Sequence, residues 1–188
     1  CRGFASELHI NVWLRQGGYL FLIRSENERA QLERNVALQN QLGVPTRILS
    51  PQEALKIVPE LNQRSFVAAC YNPRDGVVFP WPFLWGYAHA ASALGVQVHT
   101  YTKVTNIEVR GPHDFVVHTS KGQIRAERVI NAAGAWSPAI ARLVGVELPN
   151  HPHRHEILAT ESLKPFLKPL VSVLSSGLYF SQSMRGEL

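Results

Sequence analysis

The sequence predicts a mixed α/β (α+β) fold, in which an α/β layer in the middle of the chain is interleaved with an antiparallel, amphipathic part contributed by both ends. Three observations carry this. Two segments open with helix-start signatures, Ser25 with Glu28 and Ser50-Pro51 with Glu53. A series of short β runs between Val96 and Ala133 is punctuated by a Gly111-Pro112-His113-Asp114 turn and a Lys121-Gly122 turn. Finally, "RVINAAGAWSPAIARLVG", Arg128 to Gly145, joins an apolar β run to an apolar helix across Gly134.

Taken in order, "INVWLRQGGYLFLI" (Ile10 to Ile23) reads as two β runs about Gly17-Gly18, a hairpin or a bulged strand. The helix after it is capped by Ser25 with Glu28 returning the bond; Leu32 and Val36 share a face, and Gly43 follows the last turn. "SPQEALKIVPEL" repeats this grammar, with Ser50 as cap, Pro51 as first helical residue, Glu53 as box partner and Pro59 as stop. "SFVAACY" (Ser65 to Tyr71) is a predicted strand and "NPRDG" a turn. Pro82 to Leu94 is a predicted helix with Leu84, Ala88 and Ala91 on one side and Gly95 at its end. "VQVHTY", "KVTNIEV", "DFVVHT" and "QIRAERVINAA" are β runs, and "EILATE" and "GLYFSQ" after Pro149 are two more. Pro and Gly place boundaries near 75 and 149.

With 188 residues, 45% of them apolar, the chain can build the core of one domain or two small ones. A net charge of +5 permits nucleic-acid binding, but Lys and Arg are scattered and no zinc-finger or RNP-type motif occurs, so no nucleic acid is expected and anionic small molecules suit the charge equally well. Cys1 and Cys70 form no metal or redox spacing; free thiols in a reducing, cytoplasmic compartment follow. Gly76 to Thr102 lacks Asp, Glu, Lys and Arg, yet Pro80, Pro82, His89, Gln97, His99 and the break at Gly95 make it a buried helix and a buried strand rather than a membrane span. The chain opens "CRGFASEL" without Met or a signal peptide, which is expected of a piece of a longer chain.

In the Arg128 to Gly145 stretch, Val129 and Ile130 are the predicted buried strand, and Asn131-Ala132-Ala133 shrink its side chains so that a ligand can approach the backbone. Gly134 permits a sharp turn or a positive φ. Ser137 is the predicted cap of a helix with Pro138 first and Ile140, Leu143 and Val144 as its apolar face. Such a helix start after a parallel strand is where α/β proteins hold anionic groups. A tight strand-to-helix connection without a ligand fits the same pattern equally well.

"VINAAGAWSPAIARLVGVELP", with "HRHEILATE" and the terminal "YFSQSMRGEL", resembles the FAD-dependent amine oxidoreductases of the D-amino-acid oxidase superfamily, most of all the sarcosine oxidase β-subunit and glycine oxidase branch. The resemblance implies part of an FAD-binding Rossmann-like domain interleaved with an antiparallel-sheet substrate domain: residues 1–75 and 150–188 in the substrate domain, 76–149 in the FAD-binding domain. It implies FAD beside the backbone of Val104 at the adenine, and beside Ala133, Gly134, Ala135 and Trp136 at the pyrophosphate and ribityl region. The family's early Gly-x-Gly-x-x-Gly fingerprint and late Gly-rich segment do not occur in these residues, so the chain resembles the central part of such an enzyme.

Family members oxidise an amine next to a carboxylate by hydride transfer to flavin, and the imine hydrolyses. "PHRHE" resembles the family's Pro-x-Arg-x-Gln, which makes Arg154 and Glu156 substrate-binding candidates, with Glu156 standing where Gln is usual. Tyr179 and Gln182 are candidates as well, with strand filling as the alternative. No catalytic residue is assigned. His151, His153 and His155 alternate on one face of an extended segment, but without a second cluster they read as a polar face and no metal is expected. Phe79-Pro80-Trp81-Pro82 stands where heterotetrameric sarcosine oxidases carry a flavin-linked histidine, so no covalent second flavin is implied. A small amine or amino-acid substrate and partner subunits are implied; an FAD-dependent 2-hydroxy-acid dehydrogenase and a non-catalytic interaction subunit of the same fold stay open.

Overall fold

The computed structural model describes residues 3–188; Cys1, read above as a free thiol, lies outside the described residues. In chain order the elements are α1 (Phe4–Leu8), β1 (Tyr19–Ile23), α2 (Glu26–Gln41), β2 (Arg47–Leu49), α3 (Pro51–Ile57), β3 (Ala68–Asn72), α4 (Pro80–Ala93), β4 (Val104–Gly111), β5 (Asp114–Thr119), β6 (Gly122–Ala126), α5 (Ser137–Arg142), β7 (Leu170–Val173) and β8 (Leu178–Phe180). They form two compact units, Cys1–Leu94 with Leu158–Leu188, and Gly95–Ile157. Contact density divides the chain at Leu94 and Leu158, and the expected functional boundaries near 75 and 149 are a separate matter. The reasons for the contact division are local: the Phe4 ring lies 4.5 Å from that of Phe83, which ties α4 to α1, and the Thr160 N–H donates to the Leu188 carbonyl.

The first unit is built on one five-stranded sheet of order β2-β3-β1-β7-β8. It is antiparallel except for the β1–β7 pair, in which Tyr19 faces Leu170 and Phe21 faces Ser172. Strand alternation sends Leu20 and Leu22 to one face, where Leu49, Ala54, Val58, Phe66, Ala69 and Val171 close the main core. Ile23, Ala68 and Cys70 point to the other face and pack with Val36 of α2. Each fully buried aliphatic side chain contributes roughly 1.5–3 kcal/mol. Gly86 admits α1: a Cβ there would stand 2.8 Å from the Phe4 ring.

Local chemistry explains what matched and what did not. The α3 box forms as its sequence requires: Ser50 N–H donates to Glu53 Oε2 (2.7 Å), and Glu53 N–H to Ser50 Oγ (3.3 Å). At α2 Ser25 Oγ accepts from Glu28 N–H, but the Glu28 carboxylate returns to the Arg24 N–H (2.7 Å) instead of to the cap residue. Gly17-Gly18 do not turn a hairpin. Arg15 bridges to Val77 instead, and only Tyr19–Ile23 is strand. α4 starts at Pro80, because both prolines fit a first turn whose N–H groups need no intrahelical partner. Its burial is less than expected: only Pro82 and Gly86 are buried, while Trp81, Leu84, Trp85 and Tyr87 are exposed.

The second unit contains the predicted three-stranded meander, β4-β5-β6, and α5. One meander face is polar and cross-linked. Glu108 accepts from Arg110 (2.8 Å) and pairs with His118 Nε2 (2.6 Å), His118 Nδ1 meets Gln123 (3.2 Å), and Arg125 grips Asp114 with two bonds of 2.7 and 2.9 Å. Arg110 first and then His118 hold the Glu108 carboxyl below the usual range; Arg125 does the same for Asp114.

"VQVHTY", Val129 to Ala133 and "EILATE" are not strands. No described strand pairs with them, and without ladder partners the extended backbone is not sheet. Ile130, expected in a buried strand, is 90% exposed. Ser137 does not cap α5. The 3₁₀ turn Gly134–Trp136 runs straight into the helix, so Ser137 has helical angles (φ −54°, ψ −38°) and Trp136 is the cap residue. Among the described residues no helix is long and apolar enough to cross a membrane.

Candidate functional site

One side chain braces the junction ahead of α5. Asn131 donates from Nδ2 to the Ser137 carbonyl (2.9 Å) and accepts at Oδ1 from the Ala133 N–H (3.3 Å), the short amide standing in for a backbone turn. Between these anchors the Trp136 N–H donates to the Ala133 carbonyl (3.0 Å). Gly134 adopts φ +55°, in the left-handed region its sequence position anticipates. A Cβ built on it meets no heavy atom within 4 Å, so conformation rather than crowding calls for glycine here, and the space over the turn is open. Trp136 is 71% exposed beside it. Asn131 was assigned no bracing role from sequence, although an Asn two residues before a small-residue turn is the signal for one.

Two cavities flank this junction. One, of about 320 Å³, is apolar and lies between Ile107 and Phe115 of the meander and Ile140 and Val144 of the α5 segment. The other, of about 230 Å³, is mixed in character: Ala135, Trp136 and Arg142 line it with Glu147, Asn150 and His151. It brings Ala135 and Trp136 to the beginning of the stretch that carries Arg154 and Glu156. Those two side chains stand further on, exposed, with no hydrogen bond or ion pair among the described residues. His151, His153 and His155 are exposed as well, and no metal-holding group of His, Cys, Asp or Glu gathers among the described residues. Val104 opens β4, half-buried opposite Thr119, and lines neither cavity.

The remaining candidates belong to the first unit. Tyr179 lies on β8, 49% exposed. Gln182 has a different part from the one expected. It is 1% exposed, its Oε1 accepts from the N–H groups of Phe166 (2.8 Å) and Leu167 (3.0 Å), and its Nε2 faces the carbonyls of Leu163, Lys164 and Gly186 at 3.0–3.3 Å. The amide is fully used in clasping two loops together, which leaves no group for a substrate.

The family profile described as "DAO: FAD dependent oxidoreductase" matches residues 2–188. Sarcosine oxidase subunit beta of Rhodobacter capsulatus is 30% identical over 190 residues, covering 99% of this chain and 46% of that protein. The crystal structure of glycine oxidase from Geobacillus kaustophilus is similar with a TM-score of 0.84 at 27% identity, covering 100% of this chain and 50% of that one. That of L-proline dehydrogenase from P. horikoshii gives 0.81 at 29% identity, covering 99% and 50%. The chain thus spans about half the length of the relatives it matches. Through this match along nearly its whole length, the chain belongs to the FAD-dependent oxidoreductase family.

Proposed function

We propose that the whole protein oxidises a small amine or amino acid of the sarcosine, glycine or proline kind, with FAD as cofactor. The observation that carries this reading is the family match over residues 2–188, joined by likeness to proteins named for those three substrates. The residues present fit the cofactor at the Gly134 turn, where positive φ and open space let a ligand come down on the main chain. Ala133, Gly134, Ala135 and Trp136 would hold it there, and Val104 from β4. When bound, FAD supplies the electron chemistry, taking up two electrons and the hydrogen of the C–H bond next to the substrate nitrogen.

The chain's own residues bind and orient. Arg154 offers a permanent cation for a carboxylate, Glu156 an acceptor two residues on, Tyr179 a hydroxyl and a ring on the sheet, and Asn131 keeps the turn in shape for the cofactor. A cytoplasmic setting is supported by Cys70, a buried free thiol, and work with partner subunits by the relative named as a subunit.

The test is spectral. The flavin band of the whole protein should bleach anaerobically on addition of sarcosine, glycine or proline. Bleaching by 2-hydroxy acids alone would replace the reading with a hydroxy-acid dehydrogenase, and no bleaching by either class would replace it with a non-catalytic subunit.

A further inference from the structure

We propose that His118 is a positioning residue for the adenine end of the cofactor: it clamps β4 to β5 beside the bulge that aims the Val104 backbone, and the clamp tightens when the imidazole is doubly protonated. The inference rests on the reading above that places Val104 beside FAD, and adds to it a dependence of cofactor affinity on pH.

The bulge is read from register. Val104 stands opposite Thr119 and Asn106 opposite His118, so Thr105 is the extra residue of β4. Bulges bend a strand and re-aim its neighbours, and this one is held on both sides of Val104. Before it, the Lys103 N–H donates to Ser120 Oγ (3.1 Å) and the Ser120 N–H to the Lys103 carbonyl (2.8 Å). After it, Thr105 Oγ1 donates to the His118 carbonyl (3.3 Å). The His118 side chain ties the same two strands a second time, through Nε2 to Glu108 Oε1 at 2.6 Å, and reaches β6 through Nδ1 to Gln123 Nε2 at 3.2 Å.

The proton positions follow from the partners. An amide nitrogen only donates, so Nδ1 accepts and the ring proton lies on Nε2, donated to Glu108. A second proton goes to Nδ1 and meets the Gln123 amide N–H head on. That side-chain amide is exposed and makes no other bond among the described residues, so it can turn over and offer Oε1 instead. Every contact is then kept, and the bond to Glu108 becomes an ion pair, the stronger kind. Glu108 is ready for it: Arg110 first and then His118 hold its carboxyl low, so it is ionised at neutral and mildly acid pH. The other charges around the ring stay as they are. Arg110 is bonded to Glu108 on β4, Asp114 of β5 is gripped by Arg125 of β6, and Lys121 reaches away to the Thr100 carbonyl (3.2 Å). Histidine changes charge between about pH 5 and 8, so the extra support is present on the acid side of that interval and is lost as pH rises through it.

The experiment titrates the whole protein, freed of flavin, with FAD at pH 6 and pH 8 by flavin fluorescence, and measures exchange protection of the β4 amides in the same samples. FAD should bind about two- to five-fold more tightly at pH 6, the size of one half-exposed ion pair. By reciprocity, FAD binding should take up a fraction of a proton from the medium in that interval. His118→Gln, which keeps a neutral donor, should hold FAD as the unmodified protein does at pH 8 and lose both the rise and the proton uptake, and Glu108→Gln should lose them too. Protection of β4, corrected for the intrinsic effect of pH on exchange, should rise with acid in the unmodified protein alone. Equal FAD affinity at the two pH values in the unmodified protein would overturn the proposal without any variant having to fold, and so would an unchanged pH response in His118→Gln. FAD binding without this response leaves the flavoenzyme reading standing and removes only the positioning role; a whole protein that takes up no FAD at either pH sinks both.

Discussion

Two residues carry constraints that a measurement can isolate. At Gly134 the backbone lies at φ +55° while the space around a would-be Cβ is empty, so substitution acts on conformation and ligand access rather than on packing. Forcing a β-branched residue into that region costs about 1–2 kcal/mol. Gly134→Val in the whole protein should therefore lose its flavin, read as the ratio of flavin to protein absorbance, while far-ultraviolet circular dichroism stays unchanged; a variant with normal occupancy would detach the turn from the cofactor. Cys70 is the second. Burial first and Asp75 second push its thiol up to about 11, so at pH 8 the protonated form dominates in the folded state and alkylation by iodoacetamide should be far slower than after denaturation. Linkage gives the sign for stability. The folded state holds this proton more tightly than the unfolded chain, so the contribution is complete below the ordinary thiol range and declines as pH rises towards 11, and Cys70→Ala should flatten the alkaline limb of a melting-temperature profile.

At the scale of elements, what was legible in the sequence is what closes within a few residues. The Ser50–Glu53 box needs only its own four residues and formed as written, and the β5 limits and the positive φ at Gly134 follow from equally local chemistry. Elements that depend on distant partners were misplaced. Leu170–Val173 has no alternating pattern of its own and is strand because β1 lies beside it in parallel, whereas "VINAA" has the strand composition but no described neighbour. Gln182 shows the same limit for the site: nothing near it in sequence announces that Leu163 to Leu167 will need its amide. Replacing it by Leu strands the part-buried Phe166 N–H and the buried Leu167 N–H at up to about 1–3 kcal/mol each, so Gln182→Leu should lower stability by about 2–6 kcal/mol and speed amide exchange at Phe166 and Leu167. In the meander, Arg110 and His118 hold the Glu108 carboxyl low, so their support is present above the ordinary carboxylate range and is lost as pH falls below roughly 4.3. Glu108→Gln should remove that part of the acid sensitivity, seen as a smaller drop in melting temperature between about pH 5 and pH 2.

For the whole molecule the question is how much of the cofactor's hold resides in these 188 residues. The braced turn at Asn131–Ser137 is one contact region proposed here, but tight dinucleotide binding on this architecture depends on a glycine-rich first βα turn with an acidic residue about 20 positions later, and no Gly-x-Gly-x-x-Gly occurs in the sequence. The apolar surface tells the same story from the packing side. Trp81, Leu84 and Trp85 share the i, i+3, i+4 spacing of one α4 face and are all exposed, as are Ile130, Ile157 and Leu158 on extended backbone without ladder partners. Monomeric soluble domains seldom leave contiguous apolar patches of more than a few hundred Å², and uncovered extended edges invite pairing between chains. The 188 residues produced by themselves should accordingly bind no FAD at micromolar concentration in a fluorescence titration, oxidise no amine, and sediment as aggregates unless detergent covers the α4 face. Trp81→Glu together with Trp85→Lys should restore solubility without restoring flavin binding, because those changes relieve exposure and supply none of the missing phosphate contacts. A soluble, yellow, amine-oxidising product of these residues alone would show that the turn at Gly134 holds the cofactor without a glycine-rich partner.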